Sequence, residues 1–261
     1  MTRIELPGRD VIGIRADNPG PFTLSGTNTW LVGSGPAWVV DPGPALEQHV
    51  ELVTAEAQRR GGLGGIVLTH DHADHSEAVP ALRSRFPGAA VAAARGEVDV
   101  RLSGGDVVGP FAVLATPGHA PDHLAYIAGD VALTGDAVLG EGSVFIAPDP
   151  GALSSYLRAL QALRERRPAV IAPGHGPPVD DAAAKLEHYI SHRLDRERRL
   201  VAALQAGGRT VDELLDEVWD DVPPQLRNAA TVTLAAHLDK LDEEGRLPDG
   251  VERPVRPDWL R

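Results

Sequence analysis

The sequence predicts an α+β fold, in which mixed β-sheets are covered by helices, followed by a small helical domain. Between residues 11 and 171, short apolar runs that end at turn residues alternate with segments of helical periodicity. Sheets with helices on their faces are the natural result of that alternation. After residue 192 the strand-like runs stop and helical segments continue. We therefore expect one domain over residues 1–194 and a second over residues 195–261.

Nine segments are predicted as strands because they are apolar and bounded by Gly, Pro, Asp or Ser. They are residues 11–15, 27–32, 37–41, 65–69, 89–93, 111–115, 123–127, 131–134 and 169–171. Four helices are predicted from periodicity, at residues 45–60, 75–86, 153–165 and 182–206.

The C-terminal part is predicted to hold helices at residues 201–205, 210–219 and 225–244 and a short terminal ribbon, and so resembles a winged-helix module. Thr210 and Glu213 have the spacing of a capping box, and Leu234, Leu238 and Leu241 fall at helical spacing. Ten Lys or Arg stand against fifteen Asp or Glu in residues 195–261. This acidity speaks against binding of duplex DNA and favours a packing, dimerisation or cleft-shaping role.

The amino-acid composition limits which metal ligands and which binding partners the chain can have. The chain has no cysteine, so any bound metal must use His and carboxylate ligands. Its net charge of −12 opposes long-range attraction of polyanions, although a local basic groove could compensate. No apolar run approaches the length of a membrane-spanning helix, and the N-terminal segment has no apolar signal core. We therefore expect a cytoplasmic protein that makes no contact with a membrane.

One segment concentrates metal-binding side chains. The run IVLTHDHADH, residues 66–75, is a buried strand that leads directly into His70, His72, Asp74 and His75. His70 and His72 are two residues apart on a loop and can share one cation. Asp74 and His75 lie at the start of the next helix and can bind a second cation. Zn²⁺ accepts such nitrogen and oxygen ligands and, in catalytic sites, keeps one position for water.

Three later segments can supply further ligands. His119 follows a predicted strand in TPGHAPDH, Asp136 follows another in LTGDAVLG, and His175 follows a third in IAPGHG. Each side chain lies in a Gly-flanked loop just beyond a strand, and loops at one edge of a sheet can converge.

Taken together, HxHxDH, a lone His, an Asp and PGHG resemble the metallo-β-lactamase superfamily, in the pattern of its glyoxalase II and ribonuclease branches. The resemblance implies an αββα sandwich of two mixed β-sheets flanked by helices, with the metals at one edge. It also implies two Zn²⁺ ions per chain, with iron or manganese as alternatives. The implied ligands are His70, His72 and His119 for the first ion, Asp74, His75 and His175 for the second, and Asp136 as the bridge.

A closer resemblance covers nearly the whole chain. Residues 22–33, 133–145 and 173–193 are similar to the β-lactamase-like protein 2 group, which includes an endoribonuclease for single-stranded RNA and carries a winged-helix-like C-terminal domain. Because this superfamily attaches many substrates to one kind of metal centre, the resemblance bears more on fold and metals than on substrate.

The resemblance also implies a mechanism, in which a metal-bound hydroxide attacks the substrate and Asp74 orients it as the catalytic carboxylate. Asp41 is either a carboxylate that holds a ligand imidazole in one tautomer or a turn residue that caps its own backbone. His123 is expected to support a ligand or simply to pack in the core.

The segment HYISHR lies on a long predicted helix. His188 and His192 share one face of it by their i,i+4 spacing, and they either lie on an exposed surface or contact substrate at the edge of a cleft. Arg193, Arg196, Arg198 and Arg199 are interleaved with acidic residues, so a solvated face with ion pairs is expected for them.

Two hydrolytic functions remain open on the sequence alone. The first is cleavage of phosphodiesters in single-stranded RNA, against which stand the acidity and an aromatic content of only 4%. The alternative is hydrolysis of a thioester, ester or lactone of a small molecule, as in glyoxalase II. A single-iron sulfur oxidation and a non-enzymatic binding role are further alternatives, and a homo-oligomer remains open.

Overall fold

The chain is described by a computed structural model that covers residues 2–146 and 149–255. Two mixed sheets form its centre. The larger sheet has seven strands in chain order, with antiparallel pairing among the first four and parallel pairing from the fourth to the seventh. Its strands are β1 Thr2–Glu5, β2 Val11–Arg15, β3 Asn28–Val32, β4 Ala37–Val40, β5 Leu63–Val67, β6 Ala90–Ala93 and β7 Val100–Arg101.

The smaller sheet has five strands in the order β12-β11-β10-β9-β8, of which only β11 and β12 are parallel. They are β8 Val107–Val108, β9 Phe111–Ala115, β10 Leu124–Ala128, β11 Val131–Gly135 and β12 Val170–Pro173. Trp30 and Val67 from the larger sheet and Phe111 and Leu133 from the smaller one pack in one buried cluster, so the sheets lie face to face. Such facing apolar surfaces are the main source of stability for the sandwich.

Helices cover the outer face of each sheet. The larger sheet carries α1 Glu47–Arg59, α2 Ala73–Ser76 and α3 Val79–Arg85, with Val53 of α1 and Leu82 of α3 packed against Leu31 and Val39. The smaller sheet carries α4 Ala152–Glu165 and the long helix α5 Ala182–Gln205. The order helix, sheet, sheet, helix confirms the αββα sandwich predicted from the sequence.

The last part of the chain is helical. The C-terminal half of α5, α6 Val211–Val218 and α7 Arg227–Glu243 enclose their own apolar cluster, which includes the predicted Leu234, Leu238 and Leu241. The predicted capping box is confirmed, because Thr210 accepts the N–H of Glu213 and the Glu213 carboxylate accepts the N–H of Thr210. Residue 194 lies within α5, so the domain boundary itself stays a prediction.

The structure differs from the sequence predictions at several elements. The predicted helix 75–86 is broken into α2 and α3, because Pro80 stands in the first turn of α3 and starts a new helix there. Strands β1, β7 and β8 were not predicted, since they are short edge strands with mostly exposed residues. No strand forms in residues 245–255, so the described part of the predicted terminal ribbon is wrong, and its remainder, residues 256–261, lies outside the described residues.

In the described ranges, no helix combines the length and the apolar character needed to cross a membrane.

The C-terminal cluster predicts a stability effect. Leu238 is fully buried there, so Leu238→Ala should lower the free energy of unfolding by about 2 to 5 kcal/mol through lost burial and the cavity left behind. Urea unfolding measures this change. Leu194→Ala is the matched control, since that side chain is 44% exposed on α5 and its loss should change stability by less than about 0.5 kcal/mol. Equal effects of the two substitutions would contradict the described packing.

Candidate metal centre

The loops that carry the predicted site residues meet at one edge of the sandwich. Asp41 and His70 lie beyond the ends of the parallel strands β4 and β5, and Asp136 and His175 lie beyond the parallel strands β11 and β12. Parallel strands end at the same edge of their sheet, so each pair emerges together. The two sheets are joined at this edge by a hydrogen bond of 2.7 Å from Leu124 N to Thr69 O.

A first group of donor atoms consists of three imidazoles. His72 Nδ1 lies 2.9 Å from His70 Nε2 and 3.2 Å from His119 Nε2. The three nitrogens all lie within 4.8 Å of one another, an arrangement that can hold one metal ion. His70 and His119 are buried, while His72 is exposed and opens this group to solvent.

A second group combines one carboxylate with two imidazoles. Asp74 Oδ2 lies 3.5 Å from His75 Nε2 and 3.3 Å from His175 Nε2, and the two nitrogens are 3.3 Å apart. These atoms also meet the spacing of a metal site. The side chain of Asp74 is 28% exposed, so this carboxylate is reachable from outside the centre.

Asp136 lies between the two groups. Its Oδ2 is 3.7 Å from His119 Nε2 and 3.4 Å from His175 Nε2, and its Oδ1 is 3.6 Å from His75 Nε2. Oδ1 is buried and accepts no hydrogen bond from the described residues. A buried carboxylate oxygen without a donor is costly, and a cation is the partner that would offset this cost.

The nitrogens that face away from the centre are held by hydrogen bonds. His75 Nδ1 lies 2.9 Å from Asp41 Oδ2, and the Thr69 hydroxyl, which donates to that same oxygen at 2.7 Å, is 3.0 Å from His70 Nδ1. The buried Asp41 carboxylate therefore orients one imidazole of each group, directly for His75 and through Thr69 for His70. Such contacts fix the tautomer that presents Nε2 to a metal.

The other two buried imidazoles are held by backbone carbonyl groups. His119 Nδ1 lies 3.4 Å from Phe145 O, and His175 Nδ1 lies 3.4 Å from Gly26 O. His123 is not part of either group. Its Nε2 accepts the N–H of Asp136 at 3.1 Å and its Nδ1 donates to the Thr116 hydroxyl at 2.7 Å, so this buried imidazole holds the backbone that carries Asp136.

Two glycines permit the close approach of these loops. A Cβ atom on Gly174, next to His175, would lie 2.6 Å from Asp136 Oδ1 and 2.8 Å from His75 Cε1. A Cβ on Gly118, next to His119, would lie 2.5 Å from the Cβ of Tyr156 on α4. Any larger residue at position 174 would force two ligand loops apart, and one at position 118 would push the His119 loop away from α4.

The imidazoles of the centre fall into two classes, one with lowered and one with raised pKa values. Burial disfavours the charged form of every one of them, and it holds the pKa of His70 well below its usual value and lowers the pKa of His119 to about 4. For His75 and His175 the same burial is outweighed by the carboxylates, Asp136 above all, which raise the pKa values to about 9 and about 10. The nearby imidazoles in turn lower the pKa of Asp74 to about 2, against the effect of burial.

One face of α5 holds the loop that follows Asp136. Lys185 Nζ donates to Gly140 O at 2.9 Å, and the Tyr189 hydroxyl accepts the N–H of Leu139 and donates to Gly142 O, both at 3.1 Å. Four residues further on, Arg193 donates to the Ser143 hydroxyl and to Val144 O. These contacts were missed from the sequence, although the i, i+4, i+8 spacing of the three α5 residues was a signal of one common face.

The predicted solvated face is confirmed for two of the four arginines of α5 and wrong for the other two. Arg198 and Arg199 do form ion pairs at the surface, with Asp195 and Asp220. Arg193 and Arg196 are buried, because their guanidinium groups donate to backbone carbonyl groups that only the tertiary fold brings near them. A charge pattern on one helix does not contain that information.

A cavity of about 530 Å³ lies between α5, the loop 142–145 and the helical C-terminal part. His188 and His192 both line it, on the side of α5. Phe145 lines it as well, and its ring lies 4.8 Å from the ring of His119, measured between centroids. The cavity is thus separated from the first donor group by one side chain.

Comparison with known families gives two matches. Residues 22–100 and 95–175 match the family described as the metallo-beta-lactamase superfamily. Residues 210–249 match the beta-lactamase associated winged helix domain.

Relatives and solved structures agree with these matches. The chain is 32% identical to a Beta-lactamase-like protein 2 homolog of Caenorhabditis elegans, over 93% of the chain and 87% of that protein. It is also 32% identical to an atrochrysone carboxyl ACP thioesterase of Aspergillus chevalieri, over 84% of the chain and 76% of that protein. The structure of a Beta-lactamase domain protein from Burkholderia ambifaria superposes with a TM-score of 0.79 at 21% identity, covering 98% and 93% of the two chains.

The double role of Asp41 predicts the effect of removing its charge. Asp41→Asn replaces one acceptor oxygen by an amide NH₂ group, which then faces either the Thr69 N–H that Oδ1 accepts or the Thr69 hydroxyl and His75 Nδ1 that share Oδ2. At least one of these donors loses its acceptor and the negative charge beside His75 is removed, so we expect metal affinity to fall about 10- to 100-fold. Competition with a chelator of known affinity measures this change.

Asp71→Asn is the matched control, because Asp71 is exposed and lies in the same HDHADH run. It should leave metal affinity unchanged. An Asp41→Asn protein that binds metal as tightly as the Asp71→Asn protein would remove the supporting role of Asp41.

Proposed function

Because the chain belongs to the metallo-β-lactamase superfamily, a superfamily of metal-dependent hydrolases, we propose that it is a dinuclear metal-dependent thioesterase. The observation that carries this proposal is the position of the 530 Å³ cavity, whose lining residue Phe145 packs against His119 of the first donor group. A small acyl thioester can lie in such a cavity with its carbonyl group at the donor groups.

We propose that the ligands are distributed as the donor groups suggest. His70, His72 and His119 hold one ion, Asp74, His75 and His175 hold the other, and Asp136 bridges them. Nitrogen and carboxylate oxygen are the donors that Zn²⁺ prefers when no thiolate is present. Zinc is therefore the proposed metal, with iron and manganese as alternatives for the same donor set.

A pair of zinc ions supplies a water of lowered pKa and an electrophile that polarises the substrate carbonyl. The chain's own residues position the reactants. Thr27 Oγ1 donates to Asp74 Oδ2 at 3.2 Å and holds this partly exposed carboxylate towards the centre. Asp74 is the proposed catalytic residue, because its carboxylate can accept a hydrogen bond from the attacking water and orient it at the open side of the site.

The charge of the chain favours a thioester over a polyanion. A net charge of −12 repels a polyanion such as RNA, whereas a thioester that carries a single anionic group is repelled much less. The relative from Aspergillus chevalieri is named as a thioesterase that acts on a carrier protein, and its similarity extends over most of this chain. An acyl thioester carried on a phosphopantetheine arm is therefore the proposed substrate.

Cleavage of single-stranded RNA is the second candidate. It is favoured by the Caenorhabditis relative in the β-lactamase-like protein 2 group and by the cationic residues Lys185 and Arg193 on the cavity wall. His188 and His192 would then contact the phosphate backbone or a base. The scarcity of aromatic side chains for base stacking speaks against it.

The proposal predicts both metal content and activity. Zinc-loaded protein should contain two ions per chain by mass spectrometry of the metal. His175→Ala should lose one of them, because only the second donor group is damaged. The loaded protein should hydrolyse an acyl thioester, measured by release of the thiol, and leave a labelled single-stranded RNA intact.

His188→Ala is the matched control for His175→Ala, since it removes an exposed imidazole outside both donor groups and should keep two ions. Cleavage of the RNA without thiol release would replace the proposed function by the second candidate. A single iron per chain in the native protein would contradict the dinuclear zinc centre.

A further inference from the structure

We infer that the cavity between α5 and the C-terminal helices binds a phosphate group on the thiol portion of the substrate, through Lys185 and Arg193. This inference rests on the proposed thioesterase function and names the part of the substrate that the cavity selects. Three observations support it. The cavity lining carries positive charges, these charges have no acidic partners among the described residues, and the loop that they contact leads to His119.

The cavity is cationic although the protein is strongly acidic. The charged side chains in its lining are Lys185, Arg193, Arg196 and Asp221. Arg196 and Asp221 neutralise each other through two hydrogen bonds, of 2.7 and 2.9 Å. Two positive charges therefore remain in the lining, in a chain whose net charge is −12.

Neither of these two cations has a carboxylate within salt-bridge distance among residues 2–146 and 149–255. Lys185 donates to Gly140 O and lies 5.2 Å from the centre of the Tyr189 ring, and Glu141 acts on it only at longer range. Arg193 is 3% exposed, and its Nε has no hydrogen-bond partner in the same part of the chain. A buried guanidinium without an anion is unfavourable, so an anionic ligand would find an uncompensated partner here.

The two cations, which lie on α5, also contact the loop that leads to the donor groups. Arg193 holds Ser143 and Val144, and the next residue, Phe145, contacts His119 through both its ring and its carbonyl oxygen. An anion at Lys185 and Arg193 is thus at the far end of a path that ends at the first donor group. A substrate that spans this path needs an anionic end, a neutral middle and a reactive carbonyl group.

The remaining lining fits the neutral middle of such a substrate. Trp219, Val222, Leu226 and Ala230 form an apolar wall opposite α5. The volume of about 530 Å³ lies within the range of small-molecule sites. A phosphopantetheine arm, with one phosphate and a mostly neutral chain, matches this combination. An RNA strand would place a charge at every nucleotide against the same apolar wall.

The test compares two substrates that differ only in the phosphate, S-acetyl phosphopantetheine and S-acetyl pantetheine. For the zinc-loaded wild-type protein, kcat/KM should be about tenfold higher for the phosphorylated substrate, mainly through KM, since one charge-assisted contact has that magnitude. Lys185→Gln keeps a hydrogen-bond donor near Gly140 but removes one of the two charges, and should lower the ratio clearly below the wild-type value, with the remainder due to Arg193. Lys185→Arg should restore it.

Arg198→Gln is the matched control, because it removes the same charge from the exposed face of α5, where Arg198 is 76% exposed and pairs with Asp195. It should leave the ratio at the wild-type value. Equal kcat/KM values for the two substrates in the wild-type protein would overturn the inference. An equal fall for both substrates in Lys185→Gln would also overturn it, since Lys185 would then only support the loop.

Binding without turnover separates this inference from the proposed function. The S-methyl thioethers of phosphopantetheine and pantetheine cannot be hydrolysed, and calorimetry should show about tenfold tighter binding of the phosphorylated one. If this preference holds while neither thioester is cleaved, the phosphate subsite is supported and the thioesterase function fails.

Displacement of the phosphorylated thioether by a short single-stranded RNA that the protein then cleaves would overturn the inference in favour of RNA. Acetyl-coenzyme A and an acetylated carrier protein then distinguish the two natural carriers of the arm.

Discussion

The carboxylate of Asp136 lies between two groups of imidazole nitrogens, and the rest of the structure serves that arrangement. Its oxygens are 3.4 to 3.7 Å from ring nitrogens of His75, His119 and His175, while Oδ1 has no hydrogen-bond donor in the described residues. A charged group this deeply buried is unfavourable unless cations surround it. The two sheets hold the loops that carry these side chains, and the proposed pair of metal ions would supply positive charge between the two groups.

Residues from both sheets and from α5 hold the side chains of this centre in position. Asp41 orients one imidazole of each donor group, and it does so from the end of a buried strand whose position is fixed by the sheet. His123 holds the backbone of Asp136, and α5 holds the loop that follows it. Because α5 continues into the helical C-terminal part, and Ala236 of α7 packs in the same cluster as α4, the packing of that part is coupled to the candidate metal centre. This connection gives the C-terminal domain a role in shaping the cavity beside the centre.

The sequence predicts those parts of the molecule whose local pattern reports burial. Strands such as β3 and β11 are buried on both faces and appear as apolar runs, whereas β1 and β8 lie at sheet edges and carry no such pattern. The seven side chains that meet at the candidate centre could be singled out in the sequence because their chemistry and order are unusual, and their role as ligands stays a prediction. The burial of Arg193 could not be predicted, since it depends on carbonyl groups contributed by a loop 49 residues away in the chain. Substrate contacts depend on such long-range placement and are the least predictable part.

Anomalous scattering at the zinc edge from crystals of the zinc-loaded protein tests the central claim most directly. The account predicts two peaks about 3.5 to 4 Å apart, with Asp136 in contact with both and the two groups of imidazoles divided between them. A single peak would contradict it. So would two peaks of which neither contacts Asp136, because the proposed bridge between the two ions would then be absent.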